Sequence, residues 1–171
     1  HAGLRIRYSL DILVLIVLLL SIGVGSLLWH TLASRWAELA DEIPILLFVS
    51  GYILSCLYRI AGLGAMGVVV GFLVFQAVNQ GTLFFVPANW LNGSIFYLPT
   101  LITLFLFTAF VIHRKMPIQV EYIIATLLFT VSLAFRTVDE LICGLVPIGT
   151  HFVWHILKCR FYRKVDFFLF K

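Results

Sequence analysis

Apolar residues run in long blocks along this chain, and polar residues gather where the blocks end. Residues 12–32 carry no formal charge over 21 positions, enough for the roughly 20-residue helix that crosses a bilayer. A second block, 43–58, lies between Asp41-Glu42 and Arg59, with Pro44 suited to a first helical turn. Residues 60–78 predict a third helix, rich in small side chains. The segment Pro87-Ala-Asn-Trp90-Leu-Asn92 reads as a loop, and 93–112 as a fourth helix closed by His113-Arg114-Lys115. A fifth helix is expected over 120–138, carrying Arg136 and reaching Asp139-Glu140. The sixth starts near Pro147 and meets Lys158 after about ten residues, short for a span. The pattern therefore predicts an all-α, polytopic transmembrane helix bundle with six spans.

Composition agrees with that pattern. Hydrophobic residues make up 62% of the chain, charged ones 12%, and the mean hydropathy is +1.08. A soluble domain averages about 25% charged residues, so lipid is the solvent here. With 171 residues, a single domain over 1–171 is expected. Cys56, Cys143 and Cys159 form no disulfide framework or metal-type pairing, and core packing is the expected role of each. A net charge of +4 does not point to nucleic acid, because the basic residues alternate between loops.

That alternation sets an expected topology. Arg5, Arg7, Arg59, Arg114, Lys115, Lys158, Arg160, Arg163, Lys164 and Lys171 fall at one set of helix ends. Arg35 alone falls at the other, and Arg136 lies within a helix. Positive-inside counting then puts both termini of the chain in the cytoplasm. The competing reading of 5–32 as a signal peptide fails on length, since its apolar run exceeds the usual 7–15 or so residues.

The same topology gathers the costly polar residues at the non-cytoplasmic face. Ser26 and His30 end the first helix, and Asp41 opens the second. Asp139 ends the fifth, while His151 and His155 open the sixth. A single histidine in such a place is commonly a satisfied bundle residue or an interfacial one. As a set they are functional candidates, because ionisable groups at membrane depth are expensive. His151 and His155 stand at i and i+4 and share one helix face. Together with His30 they offer three imidazoles to a zinc ion, leaving a fourth tetrahedral position for water. Ser26, four residues before His30, faces the same way. Asp41 could orient that water or accept its proton.

Gly25-Ser26-Leu-Leu-Trp-His30-Thr-Leu, Asp41-Glu42-Ile-Pro44 and Gly149-Thr-His151-Phe-Val-Trp-His155-Ile-Leu together closely resemble the alkaline ceramidases. These belong to a superfamily of seven-helix membrane hydrolases that includes the adiponectin-receptor-like proteins. Members show a Ser-x-x-x-His, an Asp-Glu-Leu-Pro-like segment and a His-x-x-Trp-His before the last helix. The likeness runs over residues 5–157 in order and spacing, and Asp139 falls where the family has an aspartate ahead of the final motif.

The resemblance implies amide hydrolysis of ceramide to a sphingoid base and a fatty acid. It implies zinc on His30, His151 and His155, with Ser26 hydrogen-bonding the developing oxyanion and Asp41 handling the water proton. Asp139 is expected to orient a ligand histidine, or to pair with Arg136 three residues before it. Against the family's seven helices, the first helix of this chain matches the second. The acidic calcium-binding segment of eukaryotic members has no counterpart here, so no calcium residue is carried over. The expected partner is a membrane lipid, with no nucleic acid and no obligate protein partner. Two competing readings remain: a hydrolase of another acyl lipid, and a lipid-sensing receptor with a structural zinc. Ser26 and Asp41 argue against the receptor, which would not need them.

Other motifs change little. Gly62-x-Gly64-x-x-Gly67 satisfies the dinucleotide pattern but opens a membrane span without a preceding strand. Gly67-x-x-x-Gly71 reads as a close helix contact. Asn92-Gly-Ser94 is a glycosylation sequon, of use only in a secretory-pathway organism. Trp29 and Trp154 read as interfacial belt residues.

Overall fold

The computed structural model describes residues 10–87 and 90–142. Among these, every regular element is helical: α1 (Leu10–Leu32), α2 (Arg35–Arg59), α3 (Ala65–Phe85), α4 (Leu98–His113) and α5 (Gln119–Ile142). A turn over Trp90–Tyr97 leads into α4. Five helical segments are long and apolar enough to cross a membrane. The expected sixth span, with His151, His155 and Trp154, lies outside the described residues, as do Cys143, Cys159 and the basic tail.

The elements differ from the sequence reading in ways that have physical causes. α2 starts at Arg35, so Pro44 sits inside the helix rather than in its first turn, and Asp41 is helical rather than at its mouth. Glu38, Asp41 and Glu42 look like loop residues, yet a helix leaving the interface can carry them before its apolar stretch begins. α3 starts later than expected because residues 60–64 leave the helix, with Gly62 left-handed at φ +66°. It also continues to Phe85, through Asn79 and Gln80, beyond the expected end at residue 78. α5 runs on past Asp139.

Two compact units divide the chain between Val68 and Val69. In the first, α1 and α2 form an antiparallel pair joined by only Ala33 and Ser34. Ala33 takes the left-handed conformation at φ 46°, which costs a non-glycine residue roughly 1–2 kcal/mol. Its N–H still donates to the Trp29 carbonyl at 3.0 Å, closing the end of α1. Ile12, Leu15 and Ile22 of α1 and Ala37, Phe48, Tyr52, Ile53 and Cys56 of α2 are buried. Cys56 thus has the core role expected of it.

At the far end of the pair, Arg59 grips Asp11. Its Nε donates to Oδ2 at 2.9 Å and its terminal nitrogen to Oδ1 at 2.8 Å, while the Ser55 hydroxyl donates to Oδ2 at 3.3 Å. Both side chains are more than a third exposed, so the pair contributes at most about 1 kcal/mol. Its structural value is register: with the short turn at the other end, it fixes α1 against α2 at both extremes.

In the second unit, α5 packs on α4 and on the Trp90–Tyr97 turn. Leu104, Phe107 and Val111 of α4 and Tyr122, Ala125, Phe129 and Leu133 of α5 are buried. Between the helices the hydroxyls of Thr108 and Thr126 meet at 2.6 Å. Each also lies 2.8 Å from a carbonyl one turn back in its own helix, Leu104 and Tyr122 respectively. With one proton on each hydroxyl, one threonine donates to the other and the other donates to its own helix carbonyl, so both hydroxyls are paired at depth. Such hydrogen bonds between membrane helices average about 0.6 kcal/mol.

Large apolar side chains also cover the outside. Leu20, Val24 and Leu27 of α1 are 60–66% exposed, as are many leucines, valines and phenylalanines on the other helices. A continuous apolar exterior of this kind is stable in hydrocarbon, where helices satisfy their own backbone groups.

Candidate functional site

The site begins with a glycine and a proline on facing helices. Pro44 has no N–H, so the Ala40 carbonyl lacks the donor that a regular helix supplies from four residues on. That carbonyl faces Gly25 of α1. A Cβ built on Gly25 would collide with the Ala40 oxygen and lie 2.6 Å from its carbon and 2.9 Å from the Asp41 Cα. Only glycine admits so close an approach. It brings the backbone beside Ser26 against the backbone of Asp41, at the end of the pair that the Ala33–Ser34 turn closes.

Replacing Gly25 with alanine should therefore force α1 and α2 apart and destabilise the protein by about 1–3 kcal/mol. A Cβ at Gly23 meets nothing within 4 Å, so Gly23→Ala should be neutral or slightly stabilising. Thermal unfolding in detergent distinguishes the two. Equal melting temperatures would show that the close approach is not structural.

Helical spacing places the candidate side chains around this contact. Ser26 and Asp41 are half-buried, and His30, one turn beyond Ser26 on the same face of α1, is exposed. Ser26, His30, Asp41 and Glu42 each interact with other groups of the protein. On the other flank of the pair, an apolar groove of about 630 Å³ is lined by Val17, Leu20, Val24, Leu28, Leu39 and Ile43, among others. Polar chemistry and the lipid-facing surface thus occupy different sides of the same two helices.

Of the expected metal ligands, the described residues include only His30. Among the described residues no three His, Cys, Asp or Glu side chains gather as a metal site. His30 is an imidazole donor of the kind zinc takes, and the two further histidines expected to complete the set, His151 and His155, lie outside the described residues.

Asp139 belongs to the second unit, where a feature outside the expected set is prominent. Leu91, Asn92 and Gly93 are consecutively left-handed, with φ of 53°, 54° and 69°. The Asn92 amide donates to the Arg136 carbonyl at 3.1 Å, tying the turn to α5 one turn before Asp139. The Arg136 guanidinium lies over the Tyr97 ring at 5.4 Å, a cation–π contact. Ser94 is 2% exposed, and its hydroxyl is buried without a hydrogen-bond partner. A glycosylation sequon needs a presented asparagine, whereas Asn92 is engaged and Ser94 is enclosed. Asn-Gly signals a turn in any sequence; its docking on α5 has no local signature. The close contact expected at Gly67 is also not found among the described residues, where a Cβ would meet only Leu63.

No family model, no curated protein and no solved structure matches this chain.

Proposed function

We propose that the chain is an integral-membrane zinc hydrolase that cleaves the amide bond of ceramide or a ceramide-like lipid. The observation that carries this reading is the approach of Gly25 to Ala40 and Asp41. It brings the backbone next to Ser26 against the backbone of Asp41, with His30 one turn beyond Ser26 on the same face of α1. The resemblance to the alkaline ceramidases supplies the substrate and the two further ligands, His151 and His155.

Zinc held by His30, His151 and His155 would act as a Lewis acid, polarising the amide carbonyl and lowering the pKa of water toward about 7. Asp41 accepts the proton of the attacking water and returns it to the departing nitrogen. The Ser26 hydroxyl donates a hydrogen bond to the carbonyl oxygen as negative charge develops on it. The carbon–oxygen bond forms, the carbon–nitrogen bond breaks, and the products are a fatty acid and a sphingoid amine. Asp139 would orient a ligand histidine, with its helix end fixed by Asn92. Metal analysis paired with ceramide hydrolysis on the purified protein tests the reading; a metal-free protein or an inert one would overturn it.

The proposed topology has six spans, cytoplasmic termini and the site toward the opposite face. Trp90 is 58% exposed and falls in the expected external loop, while Lys115 is exposed at the other end of α4. In a cysteine-free background, Trp90→Cys should react with an impermeant maleimide on intact cells. Lys115→Cys should react only after permeabilisation. The reverse pattern would invert the orientation and move the site to the cytoplasmic side.

A further inference from the structure

We propose that α3 carries a binding site for the head group of an uncharged lipid bearing hydroxyl or amide groups, built from Gln76, Asn79 and Gln80. The three amides stand at i, i+3 and i+4, within an arc of roughly 100° on one face of the helix. Gln76 is about 16 Å along α3 from Ala65, near the middle of a span. Gln76 and Asn79 are half-buried and Gln80 is exposed. Their side chains hydrogen-bond to nothing among the described residues. Unpaired amides in hydrocarbon are costly, so the face calls for a partner that both donates and accepts.

The chemistry of α3 selects the partner. From Ile60 to Ile112 the sequence has no Asp, Glu, Lys or Arg, so nothing there neutralises a phosphate or an ammonium. The glycines Gly67, Gly71 and Gly81 lie on the opposite side of the helix from the three amides. On the amide side Phe72 is half-buried and Leu73 and Leu83 are exposed, so apolar side chains flank the polar spot. The polar spot, about one helical turn tall, matches a small neutral head flanked by its own chains. The site does not depend on the hydrolase reading, because it needs neither the metal nor Ser26.

The test uses the full chain in phosphatidylcholine nanodiscs, with diazirine-bearing ceramide, diacylglycerol and phosphatidylserine probes and adducts mapped by mass spectrometry. The ceramide and diacylglycerol probes should label residues 65–85, competed by the same unlabelled lipid, with phosphatidylserine at least about tenfold weaker. Combining Gln76→Leu, Asn79→Leu and Gln80→Leu should lower the competed labelling by about tenfold or more. If that variant fails to insert, Gln76→Leu and Asn79→Leu should each lower it about threefold. Equal labelling by phosphatidylserine, or parental labelling in the variants, overturns the proposal. So does a fall in energy transfer between two labelled copies with lipid labelling unchanged, which would assign the face to a second copy of the chain. Labelling reads binding alone, so absence of ceramide hydrolysis leaves this result intact.

Discussion

Alanine at His30, His151 or His155 should strip most of the zinc from a protein that otherwise holds about one ion. Three neutral imidazoles are a complete protein ligand set for a catalytic zinc, with the fourth position left open. Losing one leaves two donors, which do not hold the ion against solvent or a chelator. The described structure gives the His30 variant a further rationale. His30 occupies the last turn of α1, an exposed position outside the buried seam with α2, so its truncation should cost little stability. Metal loss without unfolding is therefore expected, read by elemental analysis alongside thermal melting. Unchanged zinc content in all three variants would remove the metal site and the hydrolase proposal with it.

The membrane class and the helical elements were legible in the sequence, because uncharged blocks of bilayer length have few other solutions. Boundaries were legible only where charge and apolar pattern change together, as at Arg59 and His113. They were missed where polar residues enter a helix: Glu38 to Glu42 in α2, and Asn79 and Gln80 in α3. Each group looks like punctuation, but a helix already satisfies its backbone and can carry polar side chains on one face. Pro44 misled for a related reason. Its missing N–H suits a first turn, and only the facing Gly25 reveals why the interior position is tolerated.

The candidate site was legible in part. Ser26 and His30 are local, since their spacing alone puts them on one face. The approach of Gly25, next to Ser26, to the Asp41 backbone is not local; it depends on a left-handed alanine, a two-residue turn and one glycine against a carbonyl. The Leu91–Gly93 turn lay further out of reach. A leucine at positive φ has no propensity signal, and the Asn92 contact spans 44 residues of sequence.

Substituting Ser26 or Asp41 separates an enzyme from a structural metal site. Neither side chain is needed as a ligand, so Ser26→Ala and Asp41→Asn should both keep their zinc. Both changes are close to isosteric at half-buried positions, and neither adds a Cβ at the Gly25 contact, so the helix pair should remain closed. Loss of one oxyanion donor typically lowers kcat by about 10²–10³-fold. Loss of general acid–base help costs around 10²–10⁴-fold. The losses should fall mainly on kcat, because both groups act on charge and protons that move during the reaction rather than on the bound lipid. Asp41→Asn should also abolish any acid limb that the carboxylate imposes on the pH–rate profile, which a purely structural role would leave in place. Two zinc-loaded variants that hydrolyse ceramide at the parental rate would sink the catalytic assignment, and the structural-zinc receptor would then be the better reading of the same residues.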